Sequence, residues 1–113
     1  MTGIVLSGCA SPLNEYTASR YGDIGSAAIE RGDWDTARRS FARSAMNSDL
    51  AWSDPGRRAV FHYEYGRSLG ATCFFEQAEQ QLNLAYELDK KAGQPLYFSL
   101  VELARLNLDQ KKH

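Results

Sequence analysis

A self-similarity constrains this chain of 113 residues more than any other feature. Shifting the sequence by 41 residues, the step from Tyr21 to His62, lays Tyr21, Ile24, Gly25 and Ala28 over His62, Tyr65, Gly66 and Leu69. The same shift lays Trp34, Ala37, Phe41 and Ser44 over Phe75, Ala78, Leu82 and Ala85. Large residues fall on large and small on small, at the three-, four- and seven-residue spacings of an apolar helix face. Two copies of one helical unit, stacked, are what such a pattern demands.

Each unit reads as two helices joined by a tight turn. Gly32-Asp33 stops one helix and caps the next, the glycine tolerating the backbone of a helix end and the aspartate accepting from free N–H groups. Asp35 precedes Arg38 and Arg39 at ion-pair spacing. Ser53-Asp54-Pro55-Gly56 pairs a cap with a proline suited to a first helical position, so a third helix starts there. A fifth helix is expected from about Gly93-Gln94-Pro95 through Leu96, Leu100, Leu103 and Ala104 to about Asp109. The expected organisation is an N-terminal segment and tether over 1–16, a helical domain over 17–110 and a short tail over 111–113.

Tyr21-x-x-Ile24-Gly25-x-x-Ala28 followed by Ala37-x-x-x-Phe41, and His62-x-x-Tyr65-Gly66-x-x-Leu69 followed by Ala78-x-x-x-Leu82, resemble the signature of the tetratricopeptide repeat. The resemblance covers about 18–91 and implies an all-α superhelix of about five helices, two repeats and a further half. Tyr21, Gly25, Ala37, Phe41, Tyr65, Gly66, Ala78 and Leu82 are the expected packing positions, with small residues admitting close helix approach and large ones filling the space between. The family's usual period is about 34 residues. The longer shift here therefore implies a looser or longer join, around Trp52. Asp49 and Lys90 stand where a repeat-ending proline is common, and Cys73 replaces the turn glycine, where it is expected as a half-buried apolar filler. In the last helix, Tyr97-x-x-Leu100 and Leu100-x-x-Leu103-Ala104 both fit the register.

The resemblance also implies a concave groove lined by the first helix of each unit. Carried over residue by residue, its lining is Ser19, Asp23, Ser26 and Glu30, then Tyr63, Glu64 and Arg67. A plain solvated helix face accounts for the same residues equally well. Arg38, Arg39 and Arg43 fall on the outer helix and read as a solvated face. The final helix is apolar around much of its circumference, so beyond its own packing it expects a following helix, a second copy of the chain, or a partner as cover.

At the amino terminus, Leu6-Ser7-Gly8-Cys9 resembles the lipobox of bacterial lipoproteins. That resemblance implies diacylation of Cys9 and anchoring at the periplasmic face of the outer membrane. The alternative is a cytoplasmic adaptor or co-chaperone without lipid, because Ile4-Val5-Leu6 is a short apolar stub with no Lys or Arg before Arg20. Ser11, Pro12 and Asn14 read as a tether under either view.

Net charge and motifs narrow the function further. Thirteen Lys and Arg against 14 Asp and Glu leave a net charge of -1, without the basic excess that nucleic acid requires. No nucleophile elbow, zinc helix or phosphate loop occurs, and His62 and His113 with the two cysteines lack zinc spacing. No cofactor is expected. His62 sits in a packing slot, and Gly66-x-x-x-Gly70 lies on a helix, where it signals close approach. The chain is expected to be a non-catalytic module that binds a protein or peptide.

Overall fold

The computed structural model describes residues 2–93 and 98–112, with side chains described over 12–93 and 101–111. These residues form an all-α helical-repeat arrangement of α1 (Thr2–Glu30), α2 (Trp34–Leu50), α3 (Pro55–Ala71), α4 (Phe75–Lys91) and α5 (Phe98–Lys112). Helices α1 and α2 pack as one hairpin and α3 and α4 as the next; α2 rests on α3, and α5 lies mainly on α4.

Capping chemistry sets the boundaries. Asp33 accepts from the Thr36 amide at 3.1 Å, and Asp54 from the Arg57 amide at 3.0 Å with Pro55 opening α3. Phe74 holds the corresponding place before α4 and offers no side-chain cap. After each of α1 to α4 the chain turns through a left-handed residue: Gly32 (φ 76), Trp52 (φ 53), Cys73 (φ 70) and Gly93 (φ 75). The first three turns close with an amide reaching back five residues, Asp33 to Ala28 (2.8 Å), Ser53 to Ser48 (3.1 Å) and Phe74 to Leu69 (2.9 Å). Cys73 therefore does take over the glycine's place, but it is exposed and fills nothing.

The long period goes into helix and not into a loose join. Helices α2, α3 and α4 are each 17 residues long, and only 51–54 and 72–74 connect them. Relative to a repeat of about 34 residues, the roughly seven extra residues add two helical turns per unit.

Two apolar clusters form the core. The first holds Ala18, Ala28, Ala37, Phe41, Ala45 and Phe61, and the second holds Tyr63, Leu69, Ala78, Leu82, Ala85, Val101 and Leu108. Tyr65 packs against both and links the units. A Cβ on Gly25 would stand 2.6 Å from the Phe41 ring, and one on Gly66 would stand 2.9 Å from Leu82. The equivalent glycines thus serve the equivalent large residues. Ile24, the counterpart of Tyr65, is 40% exposed, because among the described residues no earlier helix covers that side of α1. Tyr21 is half-buried, and its hydroxyl accepts from Arg43 at 3.2 Å.

Ser11, Pro12 and Asn14 fall inside α1 and do not form a separate tether, although Pro12 has no amide N–H to give the helical bond of its turn. The side chain of Cys9 lies outside the described residues. So do Gln94 to Tyr97, expected to open the fifth helix, the side chain of Leu100, and His113. Helix α5 runs to Lys112, past the expected end of the domain. No described helix is long and apolar enough to cross a membrane.

Candidate functional site

Helices α1 and α3 are each joined to α2 by extensive packing, but meet one another mainly through side chains. The space between them is a groove of about 960 Å³. Its α1 wall carries Ser19, Gly22, Asp23 and Ser26, at the three- and four-residue steps of one helix face. The facing wall on α3 carries Arg57, Val60, Phe61, Tyr63, Glu64 and Arg67. Phe41 of α2 contributes to the lining, and Asp54, Gly56, Asp89 and Ala92 line the end nearest the start of α3. Of the residues expected to line a groove, Ser19, Asp23, Ser26, Tyr63, Glu64 and Arg67 come together here. Glu30 does not: as the last residue of α1 it is exposed beyond the lining.

Two guanidinium groups are held in place by aromatic rings. Arg67 donates to Glu64 at 3.1 and 3.3 Å and lies over Trp34 (5.5 Å) and Tyr63 (5.7 Å). Arg57 donates to the Ser19 hydroxyl and lies over the Phe61 ring at 5.2 Å, so it ties α3 to α1 across the groove. Each combines a charged head with an apolar stem on a ring face, which fixes its direction. Sequence reading missed Arg57, Val60 and Phe61, although steps of three and four back from Glu64 and Arg67 reach them.

A second polar cluster stabilises the joint between units. His62 is buried, with Nδ1 2.6 Å from Gln81 Oε1 on α4 and Nε2 3.1 Å from both carboxylate oxygens of Asp49 on α2. Arg58 also donates to Asp49, at 2.8 Å. Asp49, standing where the resembled family often has proline, thus ties α2 to α3, and His62 carries the network on to α4. The outer arginines are not simply solvated. Arg38 pairs with Asp35 at 2.8 Å and covers Phe74 at 4.8 Å, and Arg43 covers Tyr21 at 5.2 Å; Arg39 alone of the three matches the solvated expectation.

Among titrating groups, Asp33 is displaced from its ordinary range. Hydrogen bonds from Thr36 hold its carboxyl low, and Arg31, 3.4 Å away, adds to the effect. Among the described residues, no three His, Cys, Asp or Glu side chains gather as a metal site.

A smaller cavity of about 300 Å³ lies between α3 and α5, and Tyr63 and Arg67 line both it and the groove. No family model matches the chain, and no curated protein or solved structure matches it.

Proposed function

We propose that this chain is a non-catalytic binding module of the tetratricopeptide type, which receives a protein segment in the groove between α1 and α3. The groove itself carries the reading. It is long, open and walled by equivalent helices of two successive units, with aromatic and aliphatic surface below and a rim of serine, carboxylate and guanidinium groups. Such a trough suits an extended peptide or a partner helix better than a small substrate. His62 supports the same view, since the residue is 4% exposed and its imidazole is committed to Asp49 and Gln81, away from solvent. The lipobox-like Leu6-Ser7-Gly8-Cys9 adds the second half of the proposal: a lipid on Cys9 holds the module at the periplasmic face of a bacterial outer membrane. There it acts as an adaptor in the assembly of pilus, secretion or other envelope complexes.

Site-specific photo-crosslinking in the native host tests the binding half. A crosslinker at Ser26 should trap a partner, and the same group at Arg39 on the outer helix should not; adducts at Arg39 with none at Ser26 would move the interaction elsewhere. Metabolic labelling with a palmitate analogue tests the anchor by comparing the native chain with Cys9→Ala. Label that depends on Cys9 supports it, and a native chain without label is a lipid-free adaptor.

A further inference from the structure

The groove and the cavity beside it together suggest the chemistry of a ligand. Three accessible carboxylates line the groove, Asp23, Asp54 and Glu64, with Asp89 buried at one end, against two guanidiniums, Arg57 and Arg67. Arg67 is paired with Glu64, whereas Arg57 donates to the Ser19 hydroxyl and lies over the Phe61 ring without a carboxylate partner among the described residues. Asp23, by contrast, is exposed at the rim and makes no hydrogen bond or ion pair among the described residues. A ligand lying along this stretch meets net negative charge, which favours cationic side chains.

The cavity between α3 and α5 offers apolar surface with Arg67, Asn107 and Lys111 at its edge. Gly66 and Gly70 leave α3 without side chains there, α5 touches α3 only slightly, and Trp34, Leu82, Leu103 and Leu108 surround the gap. Its volume of about 300 Å³ accommodates one bulky apolar side chain, and Leu103, 54% exposed, would be covered by such a group. Tyr63 and Arg67 line both, so the groove and the cavity are neighbours along α3 and one extended chain is long enough to reach both.

Building on the groove reading above, we infer that the partner is an extended peptide bearing lysine or arginine beside Asp23 and a bulky apolar anchor between α3 and α5. The charged stretch sets which peptides approach, and the anchor determines how long they stay.

Trp34 provides the reporter, since it lines the cavity and lies beneath Arg67. In the Trp52→Phe variant it is the only tryptophan. The probes are extended peptides of about a dozen residues, without tryptophan or tyrosine, that carry two lysines and one leucine at varied spacing, enough to follow the groove and reach the cavity. Matched peptides replace the lysines by glutamate, or the leucine by serine. The lysine–leucine peptide should shift Trp34 emission saturably, and each replacement should weaken binding about tenfold or more, the lysine effect fading with added salt. Asp23→Lys, at an exposed position, should reverse the order of the lysine and glutamate peptides while leaving the circular dichroism unchanged. Glutamate peptides binding as tightly as lysine peptides would overturn the inference while leaving the groove reading intact. So would indifference to the leucine, or an emission change arising only from self-association through α5. If peptides of neither charge bind at about 1 mM, the groove reading itself fails.

Discussion

Replacing Cys73 by glycine should stabilise the protein, although it removes a side chain and adds no contact. Cys73 turns the chain from α3 into α4 at φ 70, the conformation Gly32 adopts at φ 76 between α1 and α2. A residue with a Cβ costs about 1–2 kcal/mol in this region. Glycine returns roughly 0.5–1 kcal/mol of that through its greater freedom in the unfolded chain. Because Cys73 is exposed, no packing is lost on substitution, and the net gain is about 0.5–1 kcal/mol, or roughly 2–5 °C in Tm. Urea titration followed by circular dichroism measures it, with the midpoint rising and the slope unchanged. Cys73→Ala is the control, since it removes the thiol but keeps the Cβ and should gain almost nothing. Gly32→Ala runs the experiment backwards: a Cβ there meets nothing within 4 Å, so any loss is purely conformational. Cys73→Gly no more stable than Cys73→Ala, or Gly32→Ala without loss, would refute the assignment of strain to these turns.

Three further perturbations probe packing, the joint and the caps. Gly25→Ala should destabilise by about 1–3 kcal/mol despite alanine's better helix propensity, because the new Cβ would lie 2.6 Å from the buried Phe41 ring. Gly66→Ala, facing the more adaptable Leu82, should cost less, and a urea series that ranks them the other way would contradict the packing argument. Asp49→Ala, which removes the carboxylate partner of buried His62, should lower stability by about 1–3 kcal/mol. Arg58→Ala, at a half-exposed side chain, should cost about 1 kcal/mol or less in the same assay. Asp33→Ala should lower the urea midpoint at neutral pH. Since the folded carboxyl titrates below its unfolded value, its contribution is complete above the ordinary aspartate range and disappears as pH falls through the lowered value. A gap between native and variant chains that persisted undiminished into strong acid would rule out the cap as its source.

What could be read from sequence were the features with local or periodic signatures. The two hairpins followed from the matched stripes beginning at Tyr21 and His62, the start of α3 from Asp54-Pro55, and the special turn at Cys73 from its alignment with Gly32. Contacts between residues far apart in the chain left no such trace. His62 was placed in a packing slot, but its partners Asp49 and Gln81 lie on two other helices, 13 and 19 residues away. Arg57 reaches Ser19 across 38 residues, and nothing in either local pattern announces it. The exposure of Cys73 was also misjudged, because an apolar neighbourhood in sequence does not say which way a left-handed turn points its side chain.

The longer helices explain which part of the groove escaped the family resemblance. Helix α3 begins at Pro55, and the resemblance supplied lining only from Tyr63 onward. Arg57, Val60 and Phe61 occupy the turns before that point, opposite Ser19 and Gly22, with Asp54, Asp89 and Ala92 at the same end. Asp49, near the end of α2, takes up His62 and Arg58 and keeps α2 against α3. Arg57, near the start of α3, reaches across to Ser19 on α1. The residues flanking the α2–α3 connection therefore line one end of the groove and supply the polar contacts that hold its walls together.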